Sequence, residues 1–404
     1  MDGRSLETGV LAANCAFNRP TSPSAVPKRR ARPWLAGPVL TAAVLITSGV
    51  AQAKPPATAS AIEYRTVADG RYAPPVVHVV GNQLVNGLGQ PVRLIGVDRS
   101  GTEYACIQGW GVFDGPSTLA SVAAIARWGV DVVRVPLNED CWLGLNGANP
   151  ADEGANYRQA IVRFVHLVGE EHMVAILDLH WSAPGTLPAM GQQEMADASH
   201  SPAFWSSVAS TFRSDPGVIF DLYNEPHSIS WRCWLEGCTI AASGPVPAWK
   251  TAGMQSLVDA VRQAGATQPV LIGGIGWSGD LSGWLAHRPV DHLHQEVADI
   301  HVYGDGGCTD SACWAAQISP VSAKVPVVAA EVGQSTCTGT FAGTFFDWAD
   351  AHGVSYLAWT WDTWGCPEAL VSSYTGTPTA WGATFRAHIE HLTVRRFGPV
   401  PRPA

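Results

Sequence analysis

The sequence predicts a (β/α)8 TIM barrel, and three observations lead there. From Arg93 onward, short apolar runs alternate with longer amphipathic stretches, the pattern of βα units on a parallel sheet. Eight apolar runs can be placed, with no repeat of fixed period, and 404 residues leave room for one barrel of roughly 250 residues or more plus a leader. No Gly-rich phosphate turn follows the first run, as a doubly wound open sheet would need.

The chain begins with a stretch that does not resemble the rest. Lys28-Arg29-Arg30-Ala31-Arg32 is a basic segment, residues 34–50 are apolar but broken by Gly37, Pro38 and Gly49, and Ala51-Gln52-Ala53 is an A-x-A cleavage signal. Residues 1–53 are therefore expected to be a secretory signal peptide, or failing cleavage a membrane anchor, and the protein to be secreted. Residues 54–75, rich in Ala, Thr and Pro, read as a linker. The barrel domain is expected over residues 76–393, with a short Arg- and Pro-containing tail at 394–404.

A hairpin over residues 76–86 is expected to cap the barrel floor. Strand one, 93–97, closes on Asp98-Arg99-Ser100-Gly101, and a helix follows over 116–128. Strand two, 130–137, contains Arg134 and leads to Asn138-Glu139-Asp140, with a helix over 156–171. Strand three, 173–179, closes on His180-Trp181 before a long polar loop, 182–199. Ser201 then reads as the N-cap of a helix over 202–214. Strand four starts at Val218 and stops at Asn224-Glu225-Pro226, because proline donates nothing to a ladder and keeps its predecessor extended. A Cys- and Trp-rich loop, 229–247, precedes a helix over 248–264 and strand five, 270–274, which ends near Trp277. Strand six, 297–302, delivers His301 and Tyr303; strand seven closes on Glu331; strand eight, 354–361, carries Trp359, and the last helix spans 379–392.

Composition excludes some functions. At 46% hydrophobic and 15% charged the chain can bury a large core, and a net charge of -9 argues against nucleic acid, or the membrane surface once the leader is removed, as a partner. Seventeen Trp is an excess suited to stacking on sugar rings. Beyond Cys15 in the leader, the eight remaining cysteines form no C-x-x-C pair, so disulfides are expected: Cys233 with Cys238, Cys308 with Cys313, and two longer bridges, Cys106 with Cys141 and Cys337 with Cys366.

The chemistry rests on two carboxylates. Glu225 and Glu331 each end an apolar run, on strands that face one another across a filled barrel, and paired carboxylates at that spacing cleave glycosidic bonds. Asn224 is placed to bind the sugar 2-hydroxyl, while Arg134 and Tyr303 are candidates to hold Glu331 ionised and aligned. Asp98, Glu103, Asp140 and Asp362 are competing rim carboxylates. Trp110, Trp181, Trp231, Trp234, Trp277, Trp361 and Trp364 are all candidate sugar platforms, of which two or three are expected to serve.

Taken together, Arg134, His180, Asn224-Glu225-Pro226, His301, Tyr303, Glu331 and Trp359, in order on successive strands, resemble glycoside hydrolase family 5, the cellulase-like retaining glycosidases. The resemblance covers roughly residues 76–392. It implies Glu225 as acid/base, Glu331 as nucleophile, Trp359 beneath the sugar next to the scissile bond, and a polysaccharide or oligosaccharide as substrate. Neither metal nor other cofactor is required by that chemistry. A β-1,4-glucan is the expected substrate; β-mannan or another β-glycan, transfer to acceptor sugars, and a non-catalytic carbohydrate-binding role are the alternatives. The long first loop, 101–110, and the Cys233/Cys238 loop leave the backbone sugar open.

Overall fold

The structure is a computed structural model, and it describes residues 75–392. The expected leader (1–53), nearly all of the expected linker (54–75) and the tail (394–404) lie outside those residues. Eight parallel strands close into a barrel: β1 (Ile95–Asp98), β2 (Val132–Asn138), β3 (Val174–Trp181), β4 (Val218–Asp221), β5 (Val270–Gly273), β6 (Glu296–Tyr303), β7 (Val327–Gly333) and β8 (Ser355–Ala358). Each strand pairs with the next in the chain, and β8 returns to β1.

The connections follow the amphipathic stretches, with local corrections. The helix after β1 is Leu119–Ala126, started by the Thr118 side chain accepting from Ser121 N–H. Ser201 is not an N-cap: it opens the helix Ser201–Phe212 from inside, His200 precedes it, and its hydroxyl is spent on buried carboxylates instead. The helix expected over 248–264 is shorter, Met254–Gln263, because Trp249–Lys250 is drawn off to pair with Thr239–Ile240. Between β5 and β6 no helix occurs; turns and an antiparallel bridge, Ile275 to Asp280, make the crossover. All four expected disulfides are present. Among the described residues, no helix is long and apolar enough to cross a membrane.

The barrel interior is built in layers by the two-residue period of the strands. Val132, Val174, Ile176, Ile219, Leu271, Val297, Val328 and Leu357 form an apolar lower layer. Val77, Val79, Leu84 and Val92 of a small antiparallel sheet (Val77–Val80, Gln83–Asn86, Pro91–Val92) join the same cluster, as expected of a floor cap. One step further along the same strands the side chains become ionic. Arg134 follows Val132, Asp178 follows Ile176, Asp221 follows Ile219 and Asp299 follows Val297, all buried. A second apolar cluster fills the space between strands and helices.

Candidate active site

Arg134 is the hub of the ionic layer. Its Nη1 donates to Asp98 Oδ1 at 3.0 Å and Glu331 Oε1 at 2.8 Å, and its Nε to Asp221 Oδ2 at 2.8 Å. Nη2 donates to Asn224 Oδ1 at 2.7 Å and lies 3.1 Å from Asp178 Oδ2. Four acids surround one guanidinium, and burying unpaired charge is costly. Burial accordingly drives Asp98 and Asp221 well above the carboxylate range, with Arg134 only partly opposing, and pushes Asp178 up to about 8.

A bulge sets Glu331. Two steps on β6, Asp299 to His301, face three on β7, Val328 to Glu331, so β7 carries one extra residue. That residue shifts the alternation and puts Glu331 opposite His301. The Asp299 carboxylate takes the Ala330 N–H at 2.9 Å, satisfying a backbone donor within the bulge. Glu331 Oε2 accepts from Tyr303 Oη at 2.6 Å, so both of its oxygens are held, one by Arg134 and one by Tyr303.

Glu225 stands across the mouth. Its Oε1 lies 2.9 Å from His301 Nδ1, which is also 3.5 Å from Glu331 Oε2. One carboxylate oxygen of Glu225, a His301 ring nitrogen and one carboxylate oxygen of Glu331 all lie within 4.8 Å of one another. Burial disfavours a charged His301, but the Glu331 and Asp299 carboxylates outweigh it and carry its pKa well above the usual value. Burial likewise opposes ionisation of Glu225, yet the His301 contact and the Gln192 donor leave its pKa below the ordinary carboxylate range. His180, bonded to Asp178 at 2.6 Å, is the opposite case: burial lowers it to about 3, so it is a neutral imidazole.

Several groups in this constellation are not apparent from sequence reasoning. Gln192, in the loop after β3, donates to Glu225 Oε2 at 2.8 Å and accepts from Asn224 Nδ2 at 2.9 Å. Nothing in its local sequence marks it. Asp178 and Asp299 do leave a signal, since each stands two residues before a site histidine and so on the same strand face. Conversely, the four competing carboxylates are not open rim groups. All are buried, Asp98 on Arg134, Glu103 on the Gly101 N–H, Asp140 on the Ala189 N–H and Asp362 on Ser100 and Tyr374.

The aromatic wall is similarly sorted. Trp359 stacks on His180 at 9° between planes, and Tyr104 gathers Trp110, Trp181 and Trp364 around itself. Trp110 is 50% exposed and Trp277 48%, the latter lying flat on His227 with centroids 3.6 Å apart. Trp234 and Trp361 are fully buried, and Trp231 packs against Trp234, so these three belong to the scaffold. Outside the mouth, Glu139, Asp197 and His200 bring three ligand atoms within 4.8 Å. Three of their four carboxylate oxygens are already engaged, while Glu139 Oε1 is buried without a hydrogen-bond partner among the described residues. Ser201 bridges Glu139 and Asp197, and Asp197 Oδ1 accepts the Ser199 and His200 N–H groups. Burial and the Asp197 charge raise Glu139 well above its usual range.

Residues 85–365 match the family model Cellulase (glycosyl hydrolase family 5). The chain belongs to this family. Among curated relatives, endoglucanase MaCel5A of Microbulbifer sp. (strain ALW1) is 23% identical over 76% of this chain, and endoglucanase CelA of Streptomyces lividans 24% identical over 70%. The matches cover 55% and 56% of those proteins, so this family 5 chain spans about half the length of each. The solved β-glucanase SdGluc5_26A of Saccharophagus degradans, in complex with cellotetraose, shares the fold with a TM-score of 0.63. That likeness covers 81% of this chain and 96% of the other at 18% identity.

Proposed function

We propose that this family 5 member is a secreted retaining β-glucan hydrolase, with Glu331 as nucleophile and Glu225 as acid and then base. The observation that carries the proposal is the approach of Glu225 and Glu331 carboxylate oxygens to within 4.8 Å. Retaining enzymes hold their carboxyl groups about 5–5.5 Å apart, whereas inverting ones need room for a water. In the first step a Glu331 oxygen bonds to the anomeric carbon as the glycosidic C–O bond breaks, and Glu225 delivers a proton to the departing oxygen. In the second, Glu225 takes a proton from water as that water bonds to the same carbon and the ester to Glu331 breaks. Arg134 and Tyr303 hold Glu331 for in-line approach, and His301 links the two carboxylates. Asn224 presents its amide to the 2-hydroxyl, His180 and Trp181 line the sugar side, and Trp359 supplies a stacking face.

Three further parts of the reading have separate support. The relatives' names as endoglucanases favour a β-1,4-glucan and internal cleavage. Four disulfides favour an oxidising compartment and hence export. Exposed Trp110 and Trp277 are the indoles best placed to serve as additional platforms. The test is hydrolysis of carboxymethyl-cellulose, glucomannan and aryl β-glycosides by the wild type and Glu225→Gln. Polymer cleavage with the new reducing end first released in the β configuration, lost in the variant, is expected. An α product, or full polymer cleavage by the variant, would refute the two-step assignment; preference for glucomannan would move the substrate to mannan.

A further inference from the structure

Both oxygens of Glu225 are occupied, and the two partners differ in kind. His301 is buried, on β6, with Glu331 and Asp299 also beside it. Gln192 is half-buried on the loop after β3. The direction of its bonds is forced. Arg134 can only donate, so the Asn224 atom 2.7 Å from it must be the carbonyl oxygen, and Asn224 Nδ2 must point to Gln192. Gln192 therefore receives that bond on Oε1 and turns its own Nε2–H toward Glu225 Oε2. A donor-only guanidinium thus fixes, through two amides, an acid/base oxygen that must accept.

That arrangement suits a base and obstructs an acid. The same two groups, the Asn224 amide and the Glu225 carboxyl, are those a glycan must engage through its 2-hydroxyl and its glycosidic oxygen. We propose that Gln192 is a positioning residue displaced by substrate: in the resting enzyme its carboxamide occupies the contacts on Asn224 and Glu225 that the glycan takes on binding. The proposal rests on the assignment of Glu225 as acid/base. Displacement removes a donor from Glu225 and so favours its protonated form when the acid is needed; return of Gln192 restores the resting carboxylate.

The local build permits this exchange by side-chain rotation. The backbone of the next residue is clamped, with Tyr223 Oη donating to Gln193 O at 2.8 Å and accepting its N–H at 3.1 Å. Upstream, Asn138 Nδ2 donates to Ala189 O at 2.9 Å while Asp140 accepts the Ala189 N–H at 2.8 Å. His301 has no comparable freedom. The charged and titratable groups facing Glu225 are His301 and Tyr303 from β6, His180 from β3, and Glu331 with Arg134 behind it. Gln192 carries no charge, so its removal leaves those groups in place.

The experiment is the pH dependence of cellotetraose hydrolysis by wild type, Gln192→Ala and Gln192→Met, with urea unfolding to verify that each is folded. The kcat/KM profile reports groups of the free enzyme and the kcat profile those of the complex. Losing a donor raises a carboxylate pKa, so the alkaline limb of kcat/KM should move up by roughly one pH unit in both variants. The kcat limb should stay where it is in the wild type, and KM should fall several-fold because the glycan no longer competes with Gln192. If both limbs move together, Gln192 stays on Glu225 throughout and displacement is wrong. If neither limb moves, its role is merely structural and the proposal is equally overturned. Retained activity in Glu225→Gln, run in the same assay, would instead remove the assignment on which the proposal rests.

Discussion

Replacing Glu103 with Gln should flatten the pH dependence of stability by a predictable amount. Glu103 is buried in the first rim loop, with Oε2 accepting the Gly101 N–H at 2.6 Å and its carbonyl accepting from Asn138 Nδ2 at 2.7 Å. Burial raises its pKa from 4.5 to about 8, with the backbone N–H groups of Gly101 and of Glu103 itself only partly opposing. A carboxyl whose folded pKa is raised contributes stability that is fully present below the unfolded value and is lost as pH rises through the folded value. Between pH 5 and pH 8 the folded protein must therefore surrender about 3 kcal/mol that a glutamine, which mimics the protonated acid and does not titrate, would not. The assay is urea unfolding of wild type and Glu103→Gln at both pH values, compared as a double difference so that other titrating groups cancel. The variant should gain on the wild type by about 3 kcal/mol from pH 5 to pH 8. A double difference under about 1 kcal/mol would mean that Glu103 is solvated or paired in solution, and the buried-acid account would fail.

Three other perturbations test separate parts of the structure. Tyr303→Phe removes the 2.6 Å donor to Glu331, a charge-assisted bond worth about 1.5–3 kcal/mol, so kcat/KM should fall roughly 10- to 100-fold with the unfolding midpoint little changed. Activity within about twofold of wild type would remove Tyr303 from the alignment of Glu331. Cys106→Ser with Cys141→Ser opens a bridge of sequence separation 35 and should cost about 4 kcal/mol in the chain-entropy model, read by urea unfolding under oxidising conditions. Gly96→Ala should fail to yield soluble protein, because a Cβ there would collide with the Val132 carbonyl across β1 and β2; a folded Gly96→Ala protein would mean that the two strands can separate locally.

Much of the scaffold was legible because its signals are local. The barrel strands are built largely from apolar runs, although β4 ends at Asp221, ahead of Asn224-Glu225-Pro226, and β7 runs past Glu331 to Gly333; the short-range disulfides join cysteines whose spacing suggested them. Where local signals compete, the expectation slipped. Trp249 and Lys250 satisfy a helical pattern, but their backbone groups pair with Thr239 and Ile240 next to the Cys233–Cys238 bridge. Ser201 has the right chemistry for a cap, yet Glu139 and Asp197 reach its hydroxyl from outside the helix.

The sequence by itself determined the barrel, the rim placement of Glu225 and Glu331, and the set of strand-borne partners around them. Strand period and the proline stop act over a few residues, so they can be read without knowing the rest. Only the tertiary structure decided how those groups are tuned. The ionic layer gathers Asp98, Arg134, Asp178, Asp221 and Glu331 from five strands, and their protonation depends on shared burial that no single segment reveals. The extra residue on β7 aims Glu331, and its effect exists only relative to β6. Gln192 gains its significance from an amide orientation imposed 58 positions away by Arg134 and transmitted through Asn224, because hydrogen-bond direction is set by partners in space.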